Sequence, residues 1–118
     1  MKVINVSQRS PEWRVWRSQG ISASEAAIIM NRSPYKTPWR LWAEKKGLVL
    51  EQSLENNPLI RLGLECEPQA LQRFEDKHDV LLLPLCGESE RYPLMRASFD
   101  GLSESHEPVE VKCPHEST

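Results

Sequence analysis

Residues Ala97 to Lys112 read ASFDGLSESHEPVEVK, with a strand-like segment on each side of a polar turn at 103–107. Asp100 lies at the end of the first segment, and Glu110 and Lys112 stand two residues apart in the second. Side chains two apart on a strand project from the same face, with Cα atoms roughly 6.6 Å apart. The stretch therefore predicts a hairpin that brings two carboxylates and one ammonium group to one polar face.

Such a group of side chains suits metal-assisted hydrolysis of a phosphodiester. Two neighbouring carboxylates repel each other unless a proton or a cation lies between them. Mg²⁺ prefers oxygen ligands and can generate a hydroxide nucleophile from bound water. Lys112 would orient the attacking water or stabilise charge on the phosphate oxygens. The same residues also fit an ordinary solvated strand face after a turn, so the pattern alone leaves both interpretations open.

Composition indicates one soluble globular domain. The chain has 118 residues, of which 39% are hydrophobic and 27% charged. No apolar run is long enough to span a membrane, and the first residues lack the pattern of a secretory signal. We therefore expect a cytoplasmic protein with no membrane partner. Three cysteines without CxxC spacing argue against a disulfide framework and against a zinc site.

The net charge of −2 conceals an asymmetry along the chain. Residues 1–40 contain seven Lys or Arg and two Glu, whereas the remainder contains eight basic and fifteen acidic residues. This distribution favours a protein that binds a polyanion at one place and cations at another. Surface charges also segregate this much by chance, so the asymmetry is a secondary indication.

Three N-cap residues, each followed by proline, predict the starts of three helices. The predicted helices run from residue 11 to about 18, from 38 to about 46, and from 58 to about 79. We expect the tryptophans of the first two to face the core. Pro68 should kink or interrupt the third, and Glu67 directly before it would then be aimed differently from its neighbours. Strands are predicted at 80–85 and 91–99, with a turn at 87–90.

A further helix is predicted from Ala23 to Met30, because Ser22 and Glu25 fit a capping box. Helix N-termini attract anions, so Ser24 and the upstream Arg17 could hold a phosphate. Alternatively, Ser24 only helps to cap the helix and Arg17 lies on the surface. Spacing alone favours this second interpretation.

Five short segments together span nearly the whole chain. They are Gly20–Glu25 (GISASE), Ser33–Pro38 (SPYKTP), Gly63–Pro68 (GLECEP), Ala97–Leu102 (ASFDGL) and Val109–Pro114 (VEVKCP). In sequence and in order they resemble one family, the lambda-exonuclease or YqaJ-type phage recombination nucleases of the PD-(D/E)xK, restriction-endonuclease-like superfamily.

The resemblance implies roles for individual residues. Asp100 and Glu110 are similar to the family's metal-binding acids, and Lys112 to its catalytic lysine. The Val111 carbonyl would be a further metal ligand, and Glu67 the helix-borne glutamate that completes the site. By the same resemblance, the residues that hold the 5′-terminal phosphate of the degraded strand would be Arg17 and Ser24.

The resemblance also implies an α/β fold, with N-terminal helices and a small mixed sheet of three to four strands in a restriction-endonuclease-like core. Residues 1–118 would form a single nuclease domain, the C-terminally truncated N-terminal part of a PD-(D/E)xK domain, because family members continue further. Its function would be Mg²⁺-dependent 5′–3′ degradation of double-stranded DNA from ends, with Mn²⁺ as an alternative ion. A single-strand annealing protein and a homotrimer are the implied partners. The alternatives are an endonuclease or nickase of the same superfamily, or a non-catalytic DNA-binding fragment.

Overall fold

A computed structural model describes residues 1–51 and 57–114. Its first compact unit is formed by Met1–Glu51 with Leu85–Ser98. A four-stranded mixed sheet lies in this unit, with the strand order β1-β3-β4-β2. The β1–β3 and β3–β4 pairs are antiparallel and the β2–β4 pair is parallel. The strands are β1 (Lys2–Ile4), β2 (Ile21–Ser22), β3 (Cys86–Glu88) and β4 (Met95–Ser98).

The predicted small mixed sheet is therefore confirmed, although two of its strands differ from the sequence prediction. Residues 86–88 form β3, where a turn was expected at 87–90. The strand predicted at 91–99 is limited to 95–98. Gly87 and the residues around it lack the apolar alternation that marks a strand, and they pair because β1 and β4 flank them on both sides.

The helices of the first unit begin where the capping signals predicted. The Ser10 hydroxyl accepts the Trp13 backbone N–H at 3.1 Å and opens α1, Pro11–Ser18. In the same way, Thr37 opens α3, Pro38–Lys45. The helix predicted from residue 23 to 30 divides into a 3₁₀ turn at Ala23–Glu25 and a short α2 at Ala26–Ile29.

Burial in α3 corrects the prediction for its tryptophans. Trp39 and Trp42 retain 66% and 51% of their surface exposed, whereas Leu41 and Ala43 are buried. Trp39 and Trp42 are three residues apart and share one helix face, which is the outer one here. In α1 the expectation is met for Trp16, which is buried.

Polar atoms on the α1 tryptophans connect the helix to the sheet. The Trp13 indole N–H donates to Ser98 Oγ at 2.8 Å, and the Trp16 indole N–H donates to Glu88 Oε1 at 2.7 Å. The Arg96 guanidinium lies over the Trp16 ring at 5.4 Å and donates to the Trp16 carbonyl oxygen. A half-buried indole thus satisfies its donor while its ring packs, which fixes the orientation of α1.

The second compact unit comprises Gln52–Pro84 with Phe99–Thr118. Its long helix α4 (Pro58–His78) starts at Asn57, whose side chain accepts the Leu59 N–H, and ends at Asp79 in a left-handed conformation. Pro68 was predicted to kink or interrupt this helix. The interruption is wrong, because α4 is continuous through Pro68, and the kink stays a prediction. Proline removes only one amide donor of a helix this long.

The second unit also contains a short hairpin, in which β5 (Gly101–Leu102) pairs antiparallel with β6 (Pro108–Val109). The strand predicted at 80–85 is wrong as a full strand, since it consists of one antiparallel bridge between Leu83 and Leu102. Pro84 follows directly and has no N–H to continue the ladder. Among the described residues, no helix has both the length and the apolar character needed to cross a membrane.

Gly20 provides a test of the packing between α1 and the sheet. A Cβ at this buried position would collide with the Arg96 side chain and lie 2.8 Å from the Leu94 carbonyl oxygen. We expect Gly20→Ala to lower the free energy of unfolding by about 1–3 kcal/mol. Thermal unfolding followed by circular dichroism measures the change.

The matched control is Gly63→Ala in α4, where a Cβ would meet nothing within 4 Å. Alanine in a helix interior is favoured over glycine by about 0.5–1 kcal/mol, so this variant should unfold at or above the wild-type temperature. A Gly20→Ala protein as stable as Gly63→Ala would show that the close approach at Gly20 is relaxed in solution.

Candidate functional site

The β5–β6 register places Asp100 opposite Glu110. Gly101 pairs with Val109 in this antiparallel hairpin, so the next position outward on each strand is Asp100 on one side and Glu110 on the other. Asp100 Oδ2 accepts the backbone N–H of Val111 at 2.8 Å. The hydrogen bond holds the segment after β6 against the residue that precedes β5, although neither lies within the paired strands.

Glu110 and Lys112 form an ion pair on this segment. Lys112 Nζ lies 2.6 Å from Glu110 Oε1, and the two side chains are 79% and 62% exposed. The sequence predicted that residues 110 and 112 share a strand face. In the structure both follow β6, yet their side chains still meet.

Four of the predicted site residues are coupled electrostatically. The hydrogen bond to Glu110 and the charge of Glu110 raise the pKa of Lys112, and the charges of Asp100 and Glu67 raise it further. Glu67 lies on α4 and is half-buried. Three carboxylates therefore act on one ammonium group, and the ensemble carries an excess of negative charge.

The donor atoms of this group fit a hard divalent cation. Carboxylate and carbonyl oxygens are the ligands that Mg²⁺ takes in proteins, and excess negative charge favours a cation. In residues 1–51 and 57–114, no three acidic, histidine or cysteine side chains are grouped closely enough to hold a metal ion. The chemistry of the donor set thus agrees with Mg²⁺, while a compact three-acid cluster is not formed in the described chain.

The structure also brings Arg17 and Ser24 together, within the first unit. Arg17 Nη2 donates to Ser24 Oγ at 3.0 Å and to Ser22 Oγ at 3.4 Å. The guanidinium lies over the Trp13 ring at 5.5 Å, and Nη1 lies 3.9 Å from Glu51 Oε1. Arg17 is therefore a half-buried, oriented side chain whose arrangement with two hydroxyls suits an anion.

A buried carboxylate beside Arg17 and Ser24 was identified from the sequence only as a cap. Glu25 Oε1 accepts both the backbone N–H and the hydroxyl of Ser22, each at 2.9 Å. Lys45 Nζ lies 3.0 Å from Glu25 Oε2 and donates to the Gly20 carbonyl oxygen at 2.7 Å. The capping box was the local signal for Glu25, but Lys45 belongs to another helix and no sequence pattern pointed to it.

Comparisons with known proteins agree with the fold. A family model described as a YqaJ-like viral recombinase domain matches residues 12–118. The uncharacterized protein YqaJ of Bacillus subtilis (strain 168) is 40% identical over 45 residues, which are 38% of this chain and 14% of that protein. The crystal structure of LHK-Exo in complex with dAMP matches with a TM-score of 0.73 and 24% identity, over 89% of this chain and 54% of LHK-Exo. The chain thus spans about half of LHK-Exo, and the likeness confirms the predicted restriction-endonuclease-like fold.

The raised pKa of Lys112 can be measured directly. We expect the Lys112 ammonium to keep its proton to higher pH than an ordinary lysine, and Glu110→Gln to lower its pKa again because the largest cause is removed. For a pKa raised on folding, the ion pair adds stability below the unfolded-state value and loses it as pH rises through the folded-state value. Titration of lysine Cε chemical shifts by NMR gives the pKa in both proteins.

Asp76→Asn, a change at an exposed acid on α4, is the control and should leave the Lys112 titration unchanged. Identical Lys112 titrations in the wild-type and Glu110→Gln proteins would show that the ion pair does not persist in solution.

Proposed function

The chain belongs to the YqaJ-like viral recombinase family, and on that premise we propose that it is the catalytic part of a Mg²⁺-dependent exonuclease that degrades double-stranded DNA from 5′ ends. The observation that carries the proposal is the convergence of Asp100, Glu110 and Lys112 through one hairpin register and one side-chain-to-backbone hydrogen bond. Two carboxylates beside an exposed ammonium group supply the charges that phosphodiester hydrolysis requires.

In the proposed mechanism, Lys112 acts as a cation and hydrogen-bond donor. Its pKa is raised by Glu110, Asp100 and Glu67, so it remains protonated at neutral pH and cannot serve as a general base. An exposed ammonium group can donate to a phosphate oxygen or to the oxygen of the attacking water. It would thereby stabilise the charge that develops on the phosphorus centre.

The carboxylates would hold the cation in the same proposal. Asp100 and Glu110, with the Val111 carbonyl oxygen, are the ligands we assign to Mg²⁺, with Mn²⁺ as the alternative ion. Glu67 would complete the site once the bound cation draws the three carboxylates closer together. When bound, the ion would lower the pKa of a coordinated water and neutralise phosphate charge. Asp100 would also position the backbone of Val111, because the hydrogen bond between them sets where that residue lies.

The oriented guanidinium of Arg17 supports recognition of a DNA end over internal cutting. We assign Arg17 and Ser24 to the 5′-terminal phosphate, since guanidinium and hydroxyl groups are good donors to phosphate oxygens. An enzyme with a pocket for a terminal phosphate requires an end, whereas an endonuclease or nickase does not. A single-strand annealing partner, a homotrimer and a cytoplasmic location stay predictions from the family resemblance.

Replacement of Lys112 tests the catalytic assignment. We expect Lys112→Ala to reduce the rate of nucleotide release from linear duplex DNA by about 10²–10³-fold, because a donor to the transition state is lost. DNA binding should persist. Lys77→Ala, a change at an exposed lysine on α4, is the control and should be near wild type. Chelation of divalent ions should stop release in the wild type, and Mg²⁺ should restore it.

Cleavage that persists in Lys112→Ala would contradict the role of Lys112. Equal digestion of linear and covalently closed circular DNA by the wild type would instead favour the endonuclease, and binding without any cleavage would favour the non-catalytic fragment.

Replacement of Arg17 tests the end-binding assignment separately. The wild-type chain should bind 5′-phosphorylated duplex ends more tightly than 5′-hydroxyl ends, and Arg17→Ala should reduce this preference by about tenfold or more. Binding is measured without divalent ions, so that no DNA is consumed. Arg32→Ala, which removes an exposed arginine of the same unit, should retain the preference. If Arg17→Ala still prefers 5′-phosphorylated ends, the 5′-phosphate does not bind at Arg17 and Ser24.

A further inference from the structure

Glu25 is a buried acid directly beside the Arg17–Ser24 pair. Only 5% of its surface is exposed, and its carboxylate accepts from Ser22 and from Lys45. Burial alone would raise the pKa of Glu25, but the hydrogen bonds from Ser22 and Lys45 and the charge of Lys45 hold it below the usual value. Glu25 is therefore a carboxylate anion at neutral pH.

The Glu25 carboxylate determines where the hydrogens of the Ser22 and Ser24 hydroxyls point. The Ser22 hydroxyl has one hydrogen, which it donates to Glu25 Oε1. Ser22 Oγ must then act as the acceptor in its 3.0 Å contact with Ser24 Oγ, and also toward Arg17 Nη2. The Ser24 hydrogen consequently points at a neutral oxygen, from which it can turn to an incoming phosphate oxygen.

The negative charge of Glu25 needs a cationic partner if a phosphate is to bind nearby. A carboxylate this close to Ser22 would repel a phosphate bound at Arg17 and Ser24 if its charge were not balanced. Lys45 provides the balance, with Nζ 3.0 Å from Glu25 Oε2. The Lys45 ammonium is held in place by the Gly20 carbonyl oxygen at 2.7 Å, at the turn between α1 and β2.

We propose that Lys45 is a positioning residue for the 5′-phosphate site: it neutralises Glu25, so that Glu25 can fix the direction of the Ser22 and Ser24 hydroxyls without repelling the phosphate. The inference rests on the proposed function of Arg17 and Ser24 and assigns them a supporting pair. Lys45 acts through Glu25 and does not contact the phosphate.

The first unit contains a matched ion pair that separates this role from a merely structural one. Lys36 Nζ lies 2.7 Å from Glu44 Oε2, and the Glu44 side chain is only 5% exposed. The Lys36 and Lys45 side chains are similarly buried, at 19% and 25% exposed. The described contacts of Glu44 are with Lys36 and Arg40, whereas Glu25 contacts Ser22 of the phosphate site.

The experiment compares the affinities of the full chain for two duplexes of one sequence, one with a 5′-phosphate and one with a 5′-hydroxyl. Fluorescence anisotropy in metal-free buffer above pH 7 gives the ratio of the two dissociation constants, with the phosphate mostly dianionic. We expect Lys45→Met to reduce this ratio by about tenfold, since the Glu25 charge is no longer balanced. Lys36→Met should retain the wild-type ratio, with Glu44 still paired to Arg40, and Lys45→Arg should restore the ratio.

The double variant Glu25→Gln/Lys45→Met tests the same proposal without leaving an unpaired buried carboxylate, so the test does not depend on the folding of Lys45→Met. With Glu25 neutral, Lys45 is dispensable, and the ratio should return to within about threefold of wild type. A folded double variant that has lost the preference would overturn the proposal, because Lys45 would then act on the phosphate directly. An unchanged ratio in Lys45→Met would overturn this inference alone, while equal binding of both ends by the wild type would overturn the phosphate site as well. Neither result bears on cleavage, which tests the Asp100–Glu110–Lys112 assignment separately.

Discussion

The candidate catalytic group depends on one register, that of the hairpin between β5 and β6. Pairing of Gly101 with Val109 sets Asp100 opposite Glu110, and the Asp100 side chain then accepts the Val111 N–H. A shift by one residue would turn the side chains of 110 and 112 to the other face and replace them with Val111. With only two residues in each strand, the Asp100 hydrogen bond is an important part of what defines this register.

The helices could be predicted from the sequence because their signals are local. The Ser10, Thr37 and Asn57 caps each combine a side-chain acceptor with a following proline, and each opens a helix in the structure. Residues 86–88 could not be recognised as a strand, because the neighbours that pair with them come from distant parts of the chain. The outward position of Trp39 likewise depends on which face of α3 packs, and composition does not determine this.

The two candidate sites also differ in how far the local sequence reveals them. The Asp100, Glu110 and Lys112 group was visible in one short stretch, whereas Arg17 and Ser24 required the family resemblance to be preferred over a capping role. Lys45 had no sequence signal at all, since its contact with Glu25 connects two helical segments twenty residues apart. Electrostatic partners from different elements are set by tertiary packing, so they become evident only in the structure.

The tryptophans at positions 13, 16, 39 and 42 are all that the chain contains, and all four lie in the first unit. Intrinsic fluorescence excited selectively at indole will therefore report the loosening of α1 and α3. Because the Trp13 and Trp16 indoles are hydrogen-bonded and the other two are largely exposed, their emission should differ in wavelength. The protein thus contains a natural fluorescent probe within the unit that carries Arg17, whereas the unit that carries Lys112 has no tryptophan and can take an introduced label.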